Sequence, residues 1–118
     1  VNEKTSSYIR EDLECLQGAP QVVLLEGNGS IDDYIRFEIT SAHSRYHQVF
    51  WVTEADKTIF FGGDDAPQHQ QMKSRYIAKY DYDGRKCMEL RQEWWKKGAE
   101  EHWTFLFYHD IKTPIIEL

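Results

Sequence analysis

At 118 residues the chain has the size of one domain, spanning 1–118, and can bury a single hydrophobic core without disulfide or metal staples. Its apolar fraction of 41% includes 17 aromatic residues, which enlarge the area each buried position removes from water and exclude a disordered chain. Twenty acidic residues against 14 basic ones give a net charge of −6, which excludes a nucleic-acid partner, since that needs clustered Lys and Arg, and permits a basic protein partner.

In chain order, Ser7 is placed to cap an N-terminal helix whose apolar positions Ile9, Leu13 and Leu16 recur at i, i+4 and i+7. Glu11 and Asp12 suit the positive end of its dipole, and Gly18 and Pro20 end it. Strand character follows over residues 22–25, 34–40, 47–53, 58–61, 75–82, 85–95 and 101–109. Alternation is clearest where Ile35, Phe37 and Ile39 oppose Tyr34, Arg36 and Glu38. The run Gly62-Gly63-Asp64-Asp65-Ala66-Pro67 breaks the pattern, with Asp65 placed to cap a short helix near 66–73. The expected class is α+β, mainly antiparallel β, as a curled sheet or small barrel-like meander behind one helix. That outline resembles the lipocalin-like barrels, without their Gly-x-Trp at the first strand.

Three hairpins fix the expected registers. Asp83-Gly84 is a type I′ turn signal, which sets Tyr82 opposite Arg85, Tyr80 opposite Cys87 and Tyr76 opposite Arg91. A second turn at Lys97-Gly98 would set Glu93 opposite His102 and Cys87 opposite Tyr108. The third, around residues 54–57, sets Thr53 opposite Thr58 and Trp51 opposite Phe60, with Phe50, Val52, Ile59 and Phe61 on the other side. The first two registers agree in collecting Tyr76, Tyr80, Tyr82, Cys87, Glu89, Arg91, Glu93, His102, Thr104 and Tyr108 on one face, opposite a core face of Ile77, Met88, Leu90, Trp94, Trp103, Phe105 and Phe107. Tyrosine combines a rigid contact area with a polar tip, so this face reads equally as a ligand pocket, a partner surface or a second packed layer.

The candidate chemistry is sparse. Glu93 beside His102 would orient an imidazole for acid–base work, or would be a structural ion pair. His43 and His47 flank a loop, and His69 and His109 approach them only through tertiary folding, so these histidines are expected to face solvent. Asp64 and Asp65 lack the alternating oxygen ligands of a calcium loop, and a turn with a helix cap accounts for them. Cys15 and Cys87 are too few for a disulfide framework and lack metal spacing, although one bridge is compatible with them. Asn28-Gly29-Ser30 matches a glycosylation acceptor, a pattern common by chance.

These readings converge on a non-enzymatic binding domain without cofactor or metal. Its ligand-binding set would be Tyr76, Tyr80, Tyr82, Glu89, Arg91, Glu93, His102 and Tyr108, holding a small molecule or a basic protein. One alternative is an acidic inhibitor of immunity or antidefence type, acting on a basic nuclease-like target through opposite potentials. Another is a small curled-sheet enzyme using the Glu93–His102 pair, and a third is an assembly domain using a strand edge or the Trp94-Trp95 rim. No apolar run reaches bilayer length and no signal peptide is present, so the expected protein is soluble, cytoplasmic or secreted after processing, with no membrane partner.

Overall fold

The structure is a computed structural model that describes residues 8–118. A short helix α1 (Arg10–Glu14) lies inside the segment expected to be helical, although its Ser7 cap lies outside the described residues and α1 buries no residue. Then follow β1 (Gly29–Ile31), β2 (Ile35–Ile39), β3 (Gln48–Glu54), β4 (Lys57–Phe61), a 3-10 turn (Gly63–Asp65), α2 (His69–Met72), α3 (Gly84–Glu101), β5 (Thr104–Leu106) and β6 (Ile115–Glu117). The six strands form one sheet in sequence order, antiparallel throughout except that β5 runs parallel to β4. The mixed α+β class and the mostly antiparallel sheet therefore stand, while the barrel-like closure does not. β1 and β6 are the open edges of the sheet.

The largest departure from expectation is α3, which occupies the segment read as two strands around a hairpin. Asp83 is an N-cap, its carboxylate accepting from the Lys86 N–H at 3.0 Å, so the Asp-Gly pair starts a helix and makes no hairpin turn. The 18 residues that follow contain no Val, Ile or Thr and are dominated by Glu, Lys, Arg, Leu, Met and Ala, which lose little rotamer freedom in a helix. Cys87, Arg91, Trp94 and Gly98 recur at i, i+4, i+7 and i+11, and these are the four positions that α3 buries. The second expected turn also fails, because Gly98 lies within the helix. A Cβ there would stand 2.4 Å from two ring carbons of Phe105, so only glycine lets helix and sheet approach this closely. His102, in the left-handed region at φ +58°, ends the helix, and the crossover it completes is what a parallel β4–β5 pair requires.

Helices α2 and α3 cover one face of the sheet. Val49, Trp51, Phe60 and Phe105 meet Met72 and Trp94 there, with Trp103 and Phe107 completing the cluster. Phe60 stands 4.8 Å from the Trp94 ring and 5.2 Å from Trp51, and burying a side chain of this kind stabilises by roughly 1.5–3 kcal/mol. The hairpin of β3 and β4 has the expected register, with Thr53 opposite Thr58 and Trp51 opposite Phe60. Its other face carries Phe50, Val52, Ile59 and Phe61, which stay half-buried or exposed because α2 and α3 pack on the opposite side.

The pairings of Ile39 with Gln48, Phe50 with Phe61 and Phe61 with Leu106 bring the carboxyl ends of β2, β4 and β5 to one edge. The loops leaving that edge carry the site described next. Among the described residues no helix is long and apolar enough to cross a membrane.

Candidate active site

Each of the three loops at this edge contributes one polar side chain to a common point. The loop after β2 contributes His43, the turn after β4 contributes Asp64, and the segment after β5 contributes His109. His43 Nε2 lies 3.6 Å from Asp64 Oδ2, and His109 Nε2 lies 3.4 Å from Asp64 Oδ1, so each imidazole faces its own oxygen of one carboxylate. The Tyr108 hydroxyl also donates to Asp64 Oδ1. Loss of water, followed by the bond to that carboxylate, raises the Tyr108 hydroxyl above the ordinary phenol range, so it remains a proton donor at neutral pH.

The orientation of each group has a visible cause. His43 Nδ1 is 2.8 Å from Oδ1 of the nearly buried Asp81, which holds the ring proton on Nδ1 and leaves the Nε2 lone pair pointing at Asp64. The Tyr80 ring closes edge-on against His43, with centroids 5.8 Å apart. Asp64 is held from behind, where its N–H donates to His47 Nε2 at 3.0 Å. The His109 segment is tied to the loop before α2 by the His109 N–H to Pro67 O bond at 3.2 Å and by a Gln68 side-chain bond to the His109 carbonyl.

Behind this layer lies a buried second one. Asp65 is 0% exposed; its Oδ1 accepts the His43 backbone N–H at 2.8 Å and its Oδ2 accepts the Thr40 hydroxyl. Burial alone would raise the Asp65 carboxyl, but the His47 ring, the Thr40 hydroxyl and the His43 N–H together hold it below the usual carboxylate range. The Asp65 carbonyl accepts from Arg91 Nη1 at 2.9 Å and from Cys87 Sγ at 3.3 Å, and Arg91 Nη2 donates to the Tyr76 carbonyl. Arg91 thus anchors the Asp65 turn and the segment leading to Tyr80 and Asp81 onto α3.

The ligand-binding set expected from sequence is not brought together. Tyr76, Tyr80 and Tyr82 are exposed on the loop between α2 and α3, and Tyr108 is exposed after β5. Glu89 and Glu93 are on exposed positions of α3, Arg91 is buried on its inner face, and His102 caps its end. Those alternating positions share a side only in strands, and in a helix they rotate by about 100° per residue, so the supposed face does not exist. Glu93 and His102 form no ion pair among the described residues, which removes the proposed acid–base couple. Of the eight, Tyr80 and Tyr108 adjoin the site, beside histidines and aspartates expected to be ordinary solvent-facing or capping groups. A signal for these was present: His43, Asp64 and His109 each fall two to four residues after an apolar run, where the carboxyl ends of strands present ligand-binding loops.

The trio fits a metal in part. Two ligands of a tetrahedral zinc at about 2.0–2.2 Å from the ion lie roughly 3.3–3.6 Å from each other, the spacing seen on both sides of Asp64. The donor set of two imidazoles and a carboxylate, with a carboxylate behind one imidazole, is also that of zinc and related ions. Among the described residues, however, no group of three or more His, Cys, Asp or Glu side chains is placed to hold a metal ion, so the ligand spacing is met only pairwise, on either side of Asp64.

The fold is similar to that of solved hydrolases, some of them metal-dependent. Superposition finds a probable metal-dependent hydrolase from Staphylococcus aureus (TM-score 0.73, 18% identity, 80% of this chain and 34% of that one). An N-acyl homoserine lactone hydrolase with N-hexanoyl-L-homoserine at its catalytic metal centre gives 0.62 at 15% identity, with 76% and 36% covered. A hydrolase of the β-lactamase superfamily gives 0.60 at 22% identity, with 75% and 31% covered. At these identities the likeness is one of fold, and the chain spans about a third of the length of the structures it matches. No family model and no curated protein matches the sequence. These hydrolase neighbours, with the loss of the aromatic face, overturn the reading of a non-enzymatic binding domain and that of an acidic inhibitor.

Proposed function

We propose that this chain forms part of a metal-dependent hydrolase and contributes His43, Asp64 and His109 to the metal centre. The observation that carries this is the pair of imidazole Nε2 atoms facing separate oxygens of Asp64 at ligand-to-ligand spacing, on the strand-end edge. The fold of the neighbours supports the same reading, and the N-acyl homoserine lactone hydrolase among them extends it to a reaction class, hydrolysis of a lactone. An ion bound there supplies Lewis-acid polarisation of the scissile carbonyl. The chain's own residues do the rest: Asp81 keeps the His43 Nε2 lone pair free, His47 fixes the Asp64 backbone, and the protonated Tyr108 hydroxyl is a hydrogen-bond donor beside the reacting centre.

Cobalt(II) titration of the purified chain tests the reading, because protein nitrogen ligands in low-symmetry geometry intensify the visible bands of the ion. One bound cobalt per chain is expected, with the bands lost in His43→Ala, Asp64→Ala and His109→Ala and kept in His102→Ala. Uptake that survives Asp64→Ala, or none at millimolar cobalt, would overturn it.

A further inference from the structure

The buried carboxylate of Asp65 has no part in the trio itself, yet it touches the two loops that carry His43 and Asp64. Its Oδ1 accepts the backbone N–H of His43, its Oδ2 accepts the Thr40 hydroxyl, and the same Oδ2 lies 3.2 Å from His47 Nδ1, off the line of an ideal hydrogen bond. His47 Nε2 in turn accepts the N–H of Asp64. A ring nitrogen that accepts an N–H carries no proton, so the neutral His47 ring bears its single proton on Nδ1, facing Asp65. Thr40, His43 and His47 belong to the loop between β2 and β3, whereas Asp64 and Asp65 belong to the turn after β4. One carboxylate and one imidazole therefore join the two loops in a closed ring of contacts.

We infer that Asp65 is a positioning residue: by holding His47 in its Nδ1–H tautomer and gripping the His43 backbone, it sets His43 and Asp64 at their mutual spacing. Only a group that accepts on both oxygens can do this. An asparagine in the same pose keeps one acceptor for the His43 N–H and turns an NH₂ toward Thr40 and His47. The Thr40 hydroxyl can rotate to accept from that NH₂. His47 can accept only by giving up its Nδ1 proton, which moves the proton to Nε2 and sets it against the Asp64 N–H. Two donors then face each other across the contact that aligns Asp64, and the Asp64 turn must shift. Arg91 and Cys87 do not relieve this, since they bond the Asp65 carbonyl, which the substitution leaves in place.

The tautomer inference stands on geometry alone, and only its consequence for affinity rests on the metal-centre reading above. Long-range ¹H–¹⁵N correlation spectra of the histidine side chains, recorded on the metal-free chain, report which ring nitrogen carries the proton. The wild-type His47 is expected as the Nδ1–H tautomer, and Asp65→Asn is expected to move it to Nε2–H or to mix the two forms. The same variant is expected to weaken cobalt binding about 10- to 100-fold, the usual effect of removing an orienting group behind a ligand. A wild-type His47 found as Nε2–H would overturn the inference even if Asp65→Asn failed to fold, as would a folded Asp65→Asn with unchanged His47 signals. Loss of cobalt binding by the wild type, with the tautomer as expected, would instead remove the metal-centre reading and leave the positioning role intact.

Discussion

Gly63→Ala probes the joint between the Asp64 turn and the imidazole behind it. Gly63 has φ +54°, a conformation that costs a residue with a Cβ about 1–2 kcal/mol. The added methyl would also stand 2.8 Å from His47 Nε2 and 2.9 Å from its Cε1, so the ring must leave its contact with the Asp64 N–H. Stranding a partly buried donor costs roughly 1–3 kcal/mol, and water can reach this one, so the lower end applies. The sum is about 2–3 kcal/mol, which lowers a urea midpoint by roughly 1–2 M at an ordinary slope. Gly27 supplies the control: it has φ +65°, and a methyl added there would meet nothing within 4 Å, so Gly27→Ala incurs the conformational cost alone. Urea unfolding of both variants, followed by tryptophan fluorescence, separates the two contributions. Equal destabilisation of Gly63→Ala and Gly27→Ala would refute the argument, because the imidazole contact would then contribute nothing.

Two further outcomes follow from the buried groups. Cys87 is buried, and burial followed by the nearby Asp65 charge pushes its thiol up to about 12, whereas Cys15 is exposed. Iodoacetamide at neutral pH should therefore label Cys15 alone in the native chain, as read by peptide mass, and rapid native labelling of Cys87 would contradict its burial. Asp65 has its folded pKa below the unfolded value of 3.8, so its stabilising contribution is fully present above that value and is lost as pH falls through the lower folded one. Unfolding free energies measured from about pH 6 down to about pH 2 should show that loss in the wild type and a shallower acid limb in Asp65→Asn; parallel limbs would show that the carboxylate is not differentially stabilised.

The sheet was legible where a strand's two faces differ in composition or where a hairpin is local. The β3–β4 register follows from Thr53 and Thr58 flanking a four-residue turn, and β2 follows from strict alternation over residues 34–40. The short edge strands β1 and β6 carry too little pattern to stand out, each being three residues long. The error over 85–95 has a definite origin. Asp-Gly supports both a type I′ turn and a helix start, since aspartate is among the best N-caps, and the dipeptide alone cannot separate them. The composition of the following 18 residues does separate them, being free of β-branched side chains and carrying the 87, 91, 94, 98 stripe. Trp94 and Trp95 have strand propensity as aromatics, yet both rings pack as well from a helix onto Phe60 and Phe105.

The site was less legible than the fold because its parts are far apart in sequence and each looks ordinary alone. His43 to Asp64 spans 21 residues and Asp64 to His109 spans 45, and neither spacing is a motif; only the strand order, with β5 returning beside β4, makes them neighbours. The same crossover decides which carboxylates matter. With α3 in place, the loop before it swings Asp81 behind His43, and α3 itself delivers Arg91 to the Asp65 carbonyl. Had residues 85–95 been strands, Asp81 would have sat beside a turn and Arg91 on an open face. The helix and the histidine site are thus linked, since the element that carries the chain from β4 to β5 is also the one that assembles the edge where those strands end.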